Sequence, residues 1–381
     1  MKLIFQGMIF LFSYTALAQG PSINVLIARS LQNVFVSGVD LKSKVFLAKS
    51  AKSYLGRKSL NFKCKPEGKN ILPLKPLRLA SVASMTGLLN WQEAKYRGNL
   101  HIITSETRAG CDLINEMPLE DYLATLLPKE MSADWPLEAL KAQAVAARSY
   151  AYHKIKSKQV SKGKGFNAYY DIENSEKHQV NGNFFDATYS TFKATQETAG
   201  EVLTMYDGKS LPIFFHSKCG GKTLRPDQVW SNAVKGYKSV SCPFCHKHGT
   251  KDWKIELAKP KLSHYLKEAL ASYENQTMMT SNKGVKILSD KKSHSALRFY
   301  SKDDLYHLKK SRLRATLGRR SLPSNNYFVK DKGKNIVISG SGFGHGVGLC
   351  QFGAKELALR GFDYKQILNH YFPNFKLTKI Y

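Results

Sequence analysis

The stretch from Pro118 to about Ile155 constrains the fold more than any other part of the chain. Leu119, Tyr122, Leu123, Leu126 and Leu127 recur at helical spacing behind Pro118, a residue suited to a first helical position. Leu137, Leu140, Ala144, Ala147 and Ala151 then repeat at i, i+3 and i+4, so a second helix starts at Pro136 and runs to about Ile155. Its many alanines favour helix and let a neighbour pack closely. The flanks read differently. Ile23–Ala28 and Val34–Gly38 are short β-branched runs bounded by turn residues. Residues 41–95 continue as short apolar runs broken by Lys, Gly and Pro. Glu201–Phe215 and Val285–Ile338 again suggest short strands, Lys154–Gly165 an exposed loop or a frayed helix end, and Ala354–Tyr371 a closing helical pattern. The expected class is α+β, with many short antiparallel strands around a central helical pair. The expected division is a small N-terminal β region, residues 19–95, followed by one large domain, residues 96–381.

Composition narrows the partners. Of 381 residues, 58 are Lys or Arg and 29 Asp or Glu, a formal charge of +29, while 43% are apolar. That apolar fraction supports a packed core and excludes wholesale disorder. No internal apolar run reaches the length of a membrane span. The charge calls for an anionic partner: nucleic acid, membrane surface or acidic polysaccharide. Lys2, the apolar run Leu3–Tyr14 and the small residues Ala16 and Ala18 have the form of a secretory leader, residues 1–18. Export disfavours nucleic acid, and no aromatic-interleaved basic motif argues for it. The expected product is a soluble protein of the periplasm or cell wall, with no integral membrane segment after leader cleavage.

Three groups of residues could carry chemistry. Glu130 and Asp134 lie in the short polar connection between the two helices, flanked by Leu127, Met131 and Trp135. Apolar neighbours raise a carboxyl pKa and leave it protonated near neutrality, as a general acid requires, though such residues also serve as caps. His345 stands in a stretch with six glycines between Gly340 and Gly353. This is not a dinucleotide fingerprint, so a sugar-binding loop or a tight structural turn remains. Six cysteines allow disulfides, with Cys64 and Cys111 as one candidate pair. His216-x-x-Cys219 and Cys242-x-x-Cys245 instead have zinc spacing, with His246 and His248 as rival ligands and a disulfide within the group as the alternative. Cys350 reads as a lone buried cysteine.

Several separated motifs resemble the SpoIID/LytB family of cell-wall proteins (stage II sporulation protein D and relatives). They are Tyr96–Leu100, Asn115–Leu123, Pro136–Tyr150, Phe215–Gly221, Gly344–Gly348 and Gln351–Ala354, with Asp171, Gln179 and Val180 between them. The resemblance spans roughly residues 22–381. It implies either a lytic transglycosylase acting on peptidoglycan glycan strands or an enhancer of a cell-wall amidase. In the catalytic members the acid is the Glu before Met in the inter-helix connection, here Glu130. On that mechanism the expected substrate contacts are Gly344, His345, Gly346 and Gln351, with Gln143 and Tyr150 either supporting contacts or helix packing. Some members bind zinc near the cleft, for which His216, Cys219, Cys242 and Cys245 are the expected ligands here.

Overall fold

The alanine-rich segment becomes the central helix of the molecule. The structure, a computed structural model, describes residues 20–46, 50–64, 76–106, 110–161, 165–174, 183–230, 234–249, 252–271, 285–288 and 295–381. The expected leader and the landmarks Gln179 and Val180 lie outside these residues. Eight strands come first: β1 (Ser22–Leu31), β2 (Asn33–Phe46), β3 (Ala51–Lys63), β4 (Arg78–Ser84), β5 (Leu88–Trp91), β6 (Ala94–Arg97), β7 (Asn99–Thr104) and β8 (Cys111–Pro118). They form one antiparallel sheet in the order β6-β5-β2-β4-β7-β8-β1, with β3 against β2. The inner strands β7 and β8 are buried along almost their whole length, including the polar His101, Thr104, Asp112 and Asn115.

The expected boundary at 95/96 falls inside β6. Leu88 pairs with Arg97 and Leu89 with Tyr96, and the sheet continues through β7 and β8. Residues 19–95 are therefore part of a sheet that runs to Pro118, not a region of their own. Cys64 and Cys111 are disulfide-bonded across this sheet, joining the end of β3 to the start of β8. The link spans 47 residues, which the chain-entropy account values at about 4 kcal/mol. Replacing both cysteines with Ser is expected to lower unfolding stability by about 2–4 kcal/mol in denaturant titration. An unchanged midpoint would remove the disulfide from the stability of this sheet.

From β8 the chain passes through Pro118 into α1 (Leu119–Glu130) and then α2 (Leu137–Ser161). Two expectations change here. α1 does not stop near Leu127: it carries Pro128 in its last turn, forgoing the N–H bond that residue would otherwise make, and it ends on Glu130. Residues 154–161 continue the helix past Ile155. Ile155 is buried, Lys154 and Lys156 lie over the rings of Tyr150 and Tyr152, and Lys158 pairs with Asp171 at 3.1 Å. Every residue from Ala142 to Ala151 is buried. α2 is thus enclosed on all sides, and its alanines admit the neighbours that enclose it.

Those neighbours follow in sequence. After β9 (Ile172–Glu173), parallel to β1, come α3 (Tyr189–Glu197), β10 (Glu201–Met205), β11 (Phe215–His216), β12 (Gly221–Lys222), α4 (Pro226–Val229) and β13 (Ser241–Cys242). β14 (Trp253–Ala258), α5 (Lys259–Ala271), β15 (Lys286–Leu288), β16 (Ala296–Ser301), β17 (Asp304–Lys309), α6 (Lys310–Leu317), β18 (Tyr327–Lys332) and β19 (Asn335–Gly340) gather around an apolar core of their own, with Leu262, Leu266, Phe299 and Ile338 inside it. The chain returns through β20 (Leu349–Cys350), which pairs in parallel with β11. The closing pattern is two helices, α7 (Gln351–Leu359) and α8 (Tyr364–Tyr371), and then β21 (Phe375–Lys379), which pairs with β10. The α+β expectation holds. Among the described residues, no helix is long and apolar enough to cross a membrane.

Candidate active site

Glu130 is the last residue of α1, and the next residue, Met131, leaves the helix in an extended conformation. A carboxyl group there faces the negative end of the helix dipole and is half-buried, both of which oppose ionisation. Burial is the main cause that lifts its pKa from 4.5 to about 7; the hydrogen bond with the Gln351 side chain acts the other way. Near neutral pH a large fraction of Glu130 therefore keeps its proton. The fully buried Tyr122 feels the charges of both Glu130 and Tyr150, and burial pushes the Tyr150 phenol up to about 12. Both tyrosines are neutral donors under physiological conditions.

Gln351 opens α7 immediately after β20, and β20 is held beside β11 in the register Phe215↔Leu349 and His216↔Cys350. This pairing brings residues far apart in sequence to the end of α1. An aromatic chain completes the surroundings. Tyr150 lies 6.4 Å from Phe214, Phe214 4.6 Å from Trp230, and Trp230 5.2 Å from the His345 ring, measured between centroids.

Both histidine rings are engaged by the backbone of Val347. His345 was the expected sugar contact, yet its ring is engaged within the protein. Its Nδ1 accepts from the Val347 N–H at 3.1 Å, and it also bonds to the Phe215 backbone. Burial holds its pKa well below the usual value, so the ring is neutral. His216 was an expected metal ligand. Its Nδ1 donates to the Val347 carbonyl at 3.0 Å, and its Nε2 is buried without a hydrogen-bond partner. Burial pushes its pKa down to about 4, so Nε2 presents a lone pair at neutral pH. His216 is not with the cysteines: the fourth sulfur beside Cys219, Cys242 and Cys245 is that of Cys350.

The glycines have a structural part. Gly344 and Gly346 have φ of +106° and +84°, and a Cβ on either would press on His216 or on Leu224. Their bare faces meet protein. Gln143 is fully buried and neither end of its amide has a partner. The structure thus brings Glu130 and Gln351 together, and links Tyr150 to His345 through the aromatic chain. Tyr122, Phe214 and Trp230 belong to the same surroundings without having been singled out. Tyr122 was legible as the helical neighbour of Leu126 on α1; Phe214 and Trp230 had no local signal. A cavity of about 330 Å³ beside Asn24, Lys158 and Asp171 holds none of the expected site residues.

The similarities to known proteins fall on this region. The model of the SpoIID family, described as stage II sporulation protein, matches residues 107–205, from β8 through α1 and α2 to β10. An uncharacterized protein of Brachyspira hyodysenteriae (strain ATCC 49526 / WA1) is 37% identical over 261 residues, 68% of this chain and 66% of that protein. The amidase enhancer of Bacillus subtilis (strain 168) is 31% identical over 305 residues, 67% of this chain and 40% of its own length. Stage II sporulation protein D of Bacillus amyloliquefaciens is 25% identical over 279 residues, 70% of this chain and 76% of that protein. The chain covers just under two thirds of the first of these relatives and two fifths of the second.

Proposed function

The chain belongs to the SpoIID family, and from that premise we propose that it is an exported lytic transglycosylase. The bond cleaved is the one between N-acetylmuramic acid and N-acetylglucosamine in peptidoglycan glycan strands stripped of their stem peptides. The observation that carries the reading is the half-buried carboxyl of Glu130, raised to about 7 and bonded by Gln351.

Protonated Glu130 donates to the glycosidic oxygen, the bond from that oxygen to the muramic C1 breaks, and positive charge develops at C1. The carboxylate left behind then takes the proton of the muramic 6-hydroxyl as its oxygen bonds to C1. The products are a free 4-hydroxyl and a 1,6-anhydro end, and Glu130 regains its proton. No water enters, so a second carboxylate at the separations used by hydrolases is not required. The amide of Gln351 orients the acid. Glycan without stem peptides carries a lactyl carboxylate on each muramic residue, so the basic chain is held on the strand by an attraction that salt weakens.

A second reading is favoured by the similarity to the amidase enhancer of Bacillus subtilis. On that reading the protein binds the wall and stimulates an N-acetylmuramoyl-L-alanine amidase without cutting glycan. Mass spectrometry of peptide-stripped glycan incubated with the purified protein separates the two. Anhydro ends are the expected result; reducing ends would mean hydrolysis, and intact strands together with a stimulated amidase would establish the second reading. The rate should also follow the proton on Glu130. With a pKa of about 7, cleavage holds on the acid side and falls about tenfold per pH unit above neutrality. A rate that rises from pH 7 to pH 9 would remove Glu130 as the acid.

A further inference from the structure

Four cysteines from four segments meet beneath α7. Cys219 follows β11, Cys242 ends β13, Cys245 lies in the turn after it, and Cys350 ends β20. All four are buried, and their Sγ atoms lie within 4.8 Å of one another. Cys219 and Cys245 bring their sulfurs to 3.6 Å. Four sulfurs at about 2.3 Å from a tetrahedral zinc stand about 3.8 Å apart, so the cluster has the size that such an ion requires. The cluster is also surrounded by donors of the kind that stabilise thiolates. The Cys219 N–H points at Cys350 Sγ at 3.4 Å, the Tyr371 hydroxyl lies 3.2 Å from Cys242 Sγ, and the Gly220 backbone bonds to Cys245.

We propose that Cys219, Cys242, Cys245 and Cys350 form a tetrathiolate zinc centre that pins the β20–α7 junction to the segment 219–245. The set differs from the one that the local spacing suggests, because Cys350 takes the place of His216. The centre is structural, since four protein ligands leave no position open for substrate or water. Its place gives it a task. Cys350 directly precedes Gln351, whose side chain bonds to Glu130. The first turn of α7 rests on the sulfurs so closely that a Cβ on Gly353 would lie 2.6 Å from Cys242 Sγ and closer still to the Tyr371 hydroxyl. The metal thus fixes the residue that holds the acid, while the existence of the centre does not depend on the proposed reaction.

The test is metal analysis of the purified protein prepared without chelators. The expected result is one zinc per chain, with X-ray absorption showing four sulfurs at about 2.3 Å and no nitrogen at about 2.0 Å. His216→Ala should keep the full zinc content, and Cys350→Ser should lose it or bind it far more weakly. Folded wild-type protein without zinc, with the four cysteines mapped as disulfides or free thiols, overturns the proposal. So does a zinc that survives Cys350→Ser and leaves with His216→Ala. Should Cys350→Ser fail to fold, the sulfur count in the wild-type absorption spectrum still decides. Glycan cleavage enters none of these readouts, so failure of the metal centre and failure of the proposed reaction are distinguishable.

Discussion

Glu130→Gln is expected to stay folded and to lose glycan cleavage by about 10²–10⁴-fold, the usual contribution of a positioned proton donor. Glutamine keeps the size of the side chain and can still bond to Gln351, but it has no proton to give the leaving oxygen. The same variant has a second signature in stability. The native carboxyl holds its proton up to about pH 7, whereas the unfolded chain releases it near 4.5. Between those values the native state binds more protons, so stability falls as pH rises through this window. The difference amounts to about 3 kcal/mol. Glutamine is neutral in both states and escapes the loss. Glu130→Gln should therefore unfold at nearly the wild-type denaturant concentration at pH 4, and be the more stable protein at pH 8. Wild-type cleavage by the variant would end the catalytic assignment. Equal stabilities of the two proteins at pH 8 would show instead that the carboxyl is not held protonated.

What could be read before the structure was largely what is local. The alanines of α2 announce a close-packed helix, and Glu130 stands out only through the resemblance, which places the acid at the Glu before Met in the inter-helix connection. Its place as the last residue of α1 was hidden by Pro128, which reads as a stop because it has no N–H for the helix ladder, although α1 continues through it. The extension of α2 through Lys154, Lys156 and Lys158 was hidden by its polar side chains, whose partners are the rings of Tyr150 and Tyr152 and the carboxylate of Asp171. α5 had a readable signal in Leu262, Leu266, Ala269 and Leu270, which share one helical face, and it was passed over among the lysines. Cys350 could not have been placed from sequence, because its neighbours depend on β20 lying parallel to β11 across more than a hundred residues. The same pairing decides that His216, and not His345, is left with a free ring nitrogen. Local periodicity shows helices and strands; the parallel return of a distant segment leaves no periodic trace.

Arg148→Ala is expected to cost about 3–5 kcal/mol of folding stability, the usual penalty for leaving one partner of a buried ion pair alone. Arg148 is fully buried in α2 and forms a two-pronged bond with Glu120 of α1, Nε to Oε1 at 2.7 Å and Nη2 to Oε2 at 2.6 Å. Its remaining donors reach the Thr195 and Glu201 carbonyls at 3.1 Å and the Thr198 hydroxyl at 3.3 Å. Glu120 also accepts from the Tyr381 hydroxyl, so one guanidinium joins α1, α2, the end of α3, the start of β10 and the chain's last residue. Arg148→Lys should recover little, because an ammonium cannot occupy both carboxylate oxygens and the two carbonyls together. Removing both charges at once, with Glu120→Gln and Arg148→Met, should be less costly than Arg148→Ala, because no charge is then left buried alone. Denaturant unfolding of the three variants decides the matter. If Arg148→Lys matches wild type, or if the double variant is the worst of the three, the bidentate pair is not what ties these elements. The consequence reaches the site, since Arg148 ties α2 to α1, the helix that ends on Glu130. A variant that survives folding should show a lowered turnover together with a Glu130 pH profile displaced from about 7.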